Sequence, residues 1–214
     1  MDQEERFETL KQEKIDINVY KYLEEKLNEL NIEILDKYKG STFELMNKGL
    51  LEGWCWQTTE TIGLFMPDNT IIYRANLHFD KIRKYYHSFI MFEYENKKYV
   101  FDPCLCMINT AKLYFDIFEV DIIGFVYSKE IRKYFIESII NKKNIKKYKK
   151  LPLLNRFMRD CYGFYFLERD KKEIVICDSE NPFTPMYRNN SGYKNIQIKD
   201  NKVKSLTVHY YIDV

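Results

Sequence analysis

One cysteine of this chain has a neighbourhood unlike the rest. Cys55 lies in Gly53-Trp54-Cys55-Trp56-Gln57-Thr58-Thr59, between the only two tryptophans of the protein. A thiol attacks as the thiolate, and the positive end of a helix favours that form. The N–H groups of a first helical turn lack intrahelical partners and can donate to a developing oxyanion. Gly53 permits a sharp turn just ahead of such a helix. Taken alone, Cys55 reads more simply as an inert thiol packed among aromatics.

A base and an orienting acid change that reading. The chain has three histidines, at 78, 87 and 209, and His87 begins an alternating run to Tyr94. A neutral imidazole there can take the thiol proton and return it to a leaving group. Asp102 closes the next short run, Tyr99 to Phe101, just before Pro103. Glu95-Asn96-Lys97-Lys98 between them has turn chemistry, so the two runs form a β-hairpin. A turn centred on Glu95-Asn96 pairs Phe89 with Asp102 and leaves His87 one diagonal step away. Asp102 can then accept from the imidazole and fix its tautomer. Separately, His87 is an ordinary strand-edge histidine and Asp102-Pro103 an ordinary turn opener. Together, a helix-start Cys, a strand-opening His and a strand-closing Asp supply nucleophile, base and orienter.

The elements that must position these groups follow from periodicity. Val19, Leu23, Leu27, Leu30 and Ile34 predict an amphipathic helix over 16–38, with Gly40 as its stop. A short helix follows from about Thr42 to Leu50, and another runs from Cys55 to about Met66, ended by Pro67-Asp68-Asn69. Ile131, Phe135, Ile136, Ile139 and Ile140 predict a helix over 128–143. The tail reads as two hairpins, one pairing Gly163–Leu167 with Glu173–Cys177, the other pairing Ile196–Ile198 with Val203–Tyr210 around Asp200-Asn201. This order predicts a single α+β domain over 1–214.

The stretch His87-Ser88-Phe89-Ile90-Met91-Phe92-Glu93, followed by Lys98-Tyr99-Val100-Phe101-Asp102-Pro103, resembles the His and Asp strands of transglutaminase-like proteins. In that superfamily a His begins an alternating strand and the next strand ends in Asp-Pro. Gly53-Trp54-Cys55-Trp56 resembles its Gly-x-Cys nucleophile segment, although Trp56 and Gln57 stand where many relatives carry small residues. The resemblance covers about residues 50–115. It implies a papain/transglutaminase-like core, with N-terminal helices packed on an antiparallel sheet, and acyl chemistry on amides. On it, Cys55 is the nucleophile, His87 the base and Asp102 the orienting carboxylate, while the oxyanion or substrate-binding side chain falls to Trp54, Asn47 or Trp56. The implied activity is cysteine-dependent hydrolysis of a peptide or protein amide through a thioester, with no cofactor. A transamidating acyltransferase and a non-catalytic binding module of the same fold are the alternatives.

Composition bounds the rest. With 214 residues, including 18 Tyr and 15 Phe, the chain can bury a sizeable core. Its 34 basic and 32 acidic side chains leave a formal charge of +2, so no strong field selects an acidic partner. The opening MDQEERFETLKQ lacks the apolar stretch of a secretion signal, and no apolar run reaches membrane-spanning length. The expectation is a cytoplasmic protein with no membrane partner, whose five cysteines, at 55, 104, 106, 161 and 177, are free thiols. Heavy use of Lys, Ile and Asn suggests an AT-rich bacterial or phage genome. Cys104-x-Cys106 lacks the second ligand pair of a zinc site. The basic run 142–150 has no recognition motif beside it, so it reads as a solvated helix end rather than a nucleic-acid contact.

Overall fold

The apolar spacing near the N-terminus fits two kinds of element, and the chain uses both. The computed structural model describes residues 2–80, 82–140, 149–150, 163–169, 173–177 and 188–213. Helix α1 (Gln3–Lys11) opens on a reciprocal cap, in which the Asp2 side chain accepts from the Glu5 N–H and Glu5 accepts from the Asp2 N–H. Helix α2 (Ile17–Leu27) buries Val19, Leu23 and Leu27. There the helix expected over 16–38 ends. Leu30, Ile32 and Ile34 instead point inward from strand β1 (Leu30–Ile34). Leu27, Leu30 and Ile34 fit a helical period, whereas Leu30, Ile32 and Ile34 fit a strand period. Parallel pairing of β1 with the last strand of the chain decides between them.

Strand β2 (Tyr38–Ser41) returns antiparallel to β1, and Ser41 caps helix α3 (Thr42–Asn47). Gly49 and Gly53 have φ of +68° and +82°; a side chain in that region costs about 1–2 kcal/mol. They shape the loop into helix α4 (Cys55–Gly63), which ends short of Met66.

Five strands follow: β3 (Ile71–His78), β4 (Lys84–Tyr94), β5 (Lys97–Asp102), β6 (Met107–Thr110) and β7 (Asp121–Tyr127), with helix α5 (Ala111–Phe118) before β7 and helix α6 (Ser128–Ile140) after it. They form one sheet in the order β6-β5-β4-β3-β7. The anticipated hairpin is β4–β5, with Tyr94 opposite Lys97 and the turn residues Glu95 and Asn96 both at positive φ, as a two-residue turn between twisted strands requires. Its first strand starts at Lys84, so His87 lies within β4 rather than opening it. The added residues pair with β3, from His78–Lys84 to Ala75–His87.

The tail strands are β8 (Lys149–Lys150), β9 (Gly163–Arg169), β10 (Glu173–Cys177), β11 (Arg188–Lys199) and β12 (Lys202–Asp213). The two expected tail hairpins are β9–β10 and β11–β12. With β1 and β2 they complete a second sheet, ordered β2-β1-β12-β11-β10-β9-β8. The β1–β12 pair is parallel, which the expectation of a purely antiparallel sheet did not include. Residues 141–143 of the helix predicted over 128–143 and 142–148 of the basic run lie outside the described residues. The architecture is α+β with two largely antiparallel sheets, and among the described residues no helix is long and apolar enough to cross a membrane.

Alternation along β4 and β5 divides the interior. Ile90 and Phe101 join the larger core with Leu23, Ile32, Ile62 and Val208, while Phe89 and Val100 join a second with Leu10, Tyr114 and Phe118. Helix α4 is buried from Gln57 to Gly63, although four of those seven residues are Thr or Glu, so its polar side chains need partners. Arg74 Nη2, wholly buried, meets Glu60 Oε1 at 2.6 Å. Thr59 Oγ1 of α4 and Ser88 Oγ of β4 lie 2.7 Å apart, and Ser88 Oγ is also 2.9 Å from Tyr73 O. These bonds fasten α4 to β3 and β4. Glu60→Ala leaves the buried guanidinium without its carboxylate and is expected to cost about 3–5 kcal/mol. Urea denaturation measures it, and an unchanged midpoint contradicts the anchoring role.

Candidate active site

Cys55 is the first residue of α4, after Trp54, whose backbone (φ −107°, ψ 25°) already leaves the helical region. Trp54 provides no side-chain cap. Its indole is buried and stacked on Tyr210, with ring centroids 5.3 Å apart and planes at 17°. This stacking fixes the chain just before Cys55, which is half-buried at the positive end of α4.

The β4–β5 ladder begins at Ile90–Phe101, so continuing it sets Phe89 opposite Asp102. His87 lies one diagonal step beyond, in the part of β4 that pairs with β3 but not with β5. His87 Nε2 is 2.8 Å from Asp102 Oδ2. Cys55 acts on the same ring as a hydrogen-bonding and charged neighbour, and with Nε2 engaged, Nδ1 is the nitrogen available to it. The structure therefore brings Cys55, His87 and Asp102 together, with the thiol within reach of solvent.

Electrostatics favours a charged ring. Burial alone lowers the His87 pKa, but the Asp102 carboxylate and then the hydrogen bond and charge of Cys55 outweigh it, lifting the ring from 6.5 to about 10. Asp102 is fully buried and takes two further donors, Leu105 N–H on Oδ1 at 3.1 Å and Tyr114 OH on Oδ2 at 2.6 Å. Cys104, also buried, has its thiol pushed well up, by burial and then by the charges of Cys55 and Asp102, so it keeps its proton. Cys106 is exposed and its Sγ lies 2.8 Å from Met46 O. Among the described residues no group of three or more His, Cys, Asp or Glu side chains is placed to hold a metal ion.

The other candidate residues divide. Trp56, next in the chain to Cys55, is edge-on to Tyr86 at 5.2 Å, with the Arg74 guanidinium carbon 4.4 Å from its ring centroid. Asn47 is exposed at the end of α3, and among the described residues it makes no hydrogen bond to the triad. A surface pocket lined by Asp68, Lys129, Arg132, Lys133 and Glu137 includes no triad residue. Its Arg132 is committed to Leu64 O, Met66 O and Asp68. Tyr114 and the Leu105 N–H were absent from the sequence reading, since nothing sets one of 18 tyrosines apart.

No protein-family model, no curated protein and no solved structure matches this chain.

The native state holds a proton on His87 that the unfolded chain releases near pH 6.5. The contribution of this pair to stability is therefore complete below about pH 6.5 and lost as pH rises through about 10. Asp102→Asn is expected to drop the His87 midpoint well below 10, toward 6.5, because burial then acts on the ring without the carboxylate. With three histidines in the chain, NMR of the ring protons resolves it. An unmoved midpoint contradicts the pairing.

Proposed function

We propose that this chain is a cysteine-nucleophile amide hydrolase, a peptidase or amidase, built on a transglutaminase-like core. The observation that carries this reading is the buried His87 imidazole, 2.8 Å from Asp102 through Nε2 and acted on by the Cys55 thiol at the start of a helix. A purely structural histidine needs one such partner. Two acidic partners, one of them a half-exposed thiol, are what general acid–base catalysis with a sulfur nucleophile requires.

In the proposed reaction the Cys55 thiolate attacks the carbonyl carbon of an amide. The new C–S bond drives the carbonyl electron pair onto oxygen, and the Cys55 backbone N–H in the first turn of α4 donates to that oxyanion. The His87 imidazolium gives its proton to the departing nitrogen as the C–N bond breaks, leaving a thioester and a free amine. Water then attacks the thioester carbonyl and His87 takes its proton. Collapse expels the sulfur, releases the carboxylic acid and restores the pair. Asp102 holds the ring with its proton-bearing Nε2 turned away from the sulfur throughout. The exposure of Cys55 supports water as the second nucleophile. The substrate is a peptide or protein amide.

Cys55→Ala is expected to abolish both amide hydrolysis across a peptide library and labelling by a peptide vinyl sulfone, while Cys161→Ala leaves both intact. Mass mapping of the adduct reads the result. Equal labelling of all cysteines in the folded protein counts against Cys55 as an activated nucleophile.

A further inference from the structure

We propose that Tyr114 is a positioning residue of this site: its hydroxyl, 2.6 Å from the same Asp102 oxygen that His87 contacts, orients the carboxylate and limits how tightly it binds the imidazolium. The inference rests on the reading of Cys55, His87 and Asp102 as an acyl-transfer triad.

An ionised carboxylate only accepts hydrogen bonds, so Tyr114 is the donor. Its ring is fully buried, held between Phe89 and Phe118 with centroids 4.9 Å away in each case. The helix that carries it is pinned at its start, where Thr110 donates from both N–H and Oγ1 to Glu13, at 2.8 and 2.6 Å. The hydroxyl therefore has one place to point. Burial, and then the charge of Asp102, hold its phenol well above the usual range, so it remains a donor at any working pH.

The proposed cycle makes two opposed demands on Asp102. The carboxylate must fix the ring while His87 carries a proton, and it must not bind that proton so strongly that the leaving nitrogen cannot take it. A carboxylate whose Oδ2 faces the imidazole alone concentrates its charge there. Sharing that oxygen with a second donor spreads the charge and weakens the hold without freeing the side chain. The Leu105 N–H on Oδ1 fixes the other end of the carboxylate.

The test is the NMR titration of His87 in Tyr114→Phe. The acidic groups facing the ring, Asp102 from β5 and Cys55 from α4, are unchanged in this variant. The midpoint is expected to rise by about one unit, the size set by losing one hydrogen bond to a charged group. Amide turnover is expected to fall about tenfold with KM unchanged. Phe118→Leu disturbs the packing of the same ring without touching the hydrogen bond. It is expected to lower stability and leave the His87 midpoint in place. A Tyr114→Phe midpoint at or below the wild-type value overturns the proposal. The titration needs no turnover, so the two claims fail separately. A raised midpoint in a chain without amide activity supports the Tyr114 role and sinks only the hydrolase reading. An unmoved midpoint in an active enzyme sinks the Tyr114 role alone.

Discussion

A charged imidazole taken out of water is costly unless negative charge and hydrogen-bond acceptors stand against it. The surroundings of His87 are organised by that constraint. Asp102 meets Nε2, but a wholly buried carboxylate has the same problem in reverse and takes donors from Leu105 and Tyr114. The Cys55 sulfur meets the ring from α4. Each group is tolerable only because the others are present. The cluster is thus a set of mutual satisfactions, and no member is independently stable where it sits.

Bringing the sulfur to the ring is a problem of helix placement. Helix α4 is enclosed on nearly every side, and apolar contacts alone would let it slide or rotate at small cost. The Thr59–Ser88 bond and the Glu60–Arg74 pair are directional and hold it in register with β3 and β4. Ser88 follows His87 directly, so the residue that fastens α4 and the residue that receives the sulfur are neighbours on one strand. A one-residue slip of β4 would carry both to the wrong face. The two cores flanking this sheet, one holding Ile90 and Phe101 and the other Phe89 and Val100, penalise such a slip.

The parts legible in the sequence were those with local causes. Glu95-Asn96 between two alternating runs defines the β4–β5 hairpin, and the hairpin register alone places Asp102 near His87. Gly53 before Cys55 marks a turn into a helix. What was illegible depended on partners distant in the chain. Leu30, Ile32 and Ile34 belong to a strand because β12 pairs beside them, and nothing in their own window separates strand from helix. Strand β3 was hidden because Arg74 interrupts its apolar pattern, and Arg74 is buried there against the Glu60 carboxylate and the Trp56 ring. The start of β4 at Lys84 likewise depends on β3. Tyr114 sits in α5, Ala111–Phe118, and its hydroxyl has a target only once α5 lies beside β5.

The central claim is that the Cys55 sulfur and the His87 imidazole share one electrostatic site, with the sulfur helping to hold the ring proton. The most direct measurement compares the His87 titration of the intact chain with that of the Cys55→Ala chain, Asp102 and Tyr114 being left in place. The account predicts a lower midpoint when the sulfur is removed, because its hydrogen bond and charge both raise the His87 pKa. An identical midpoint in the two chains would mean that sulfur and ring do not interact, and would contradict the account.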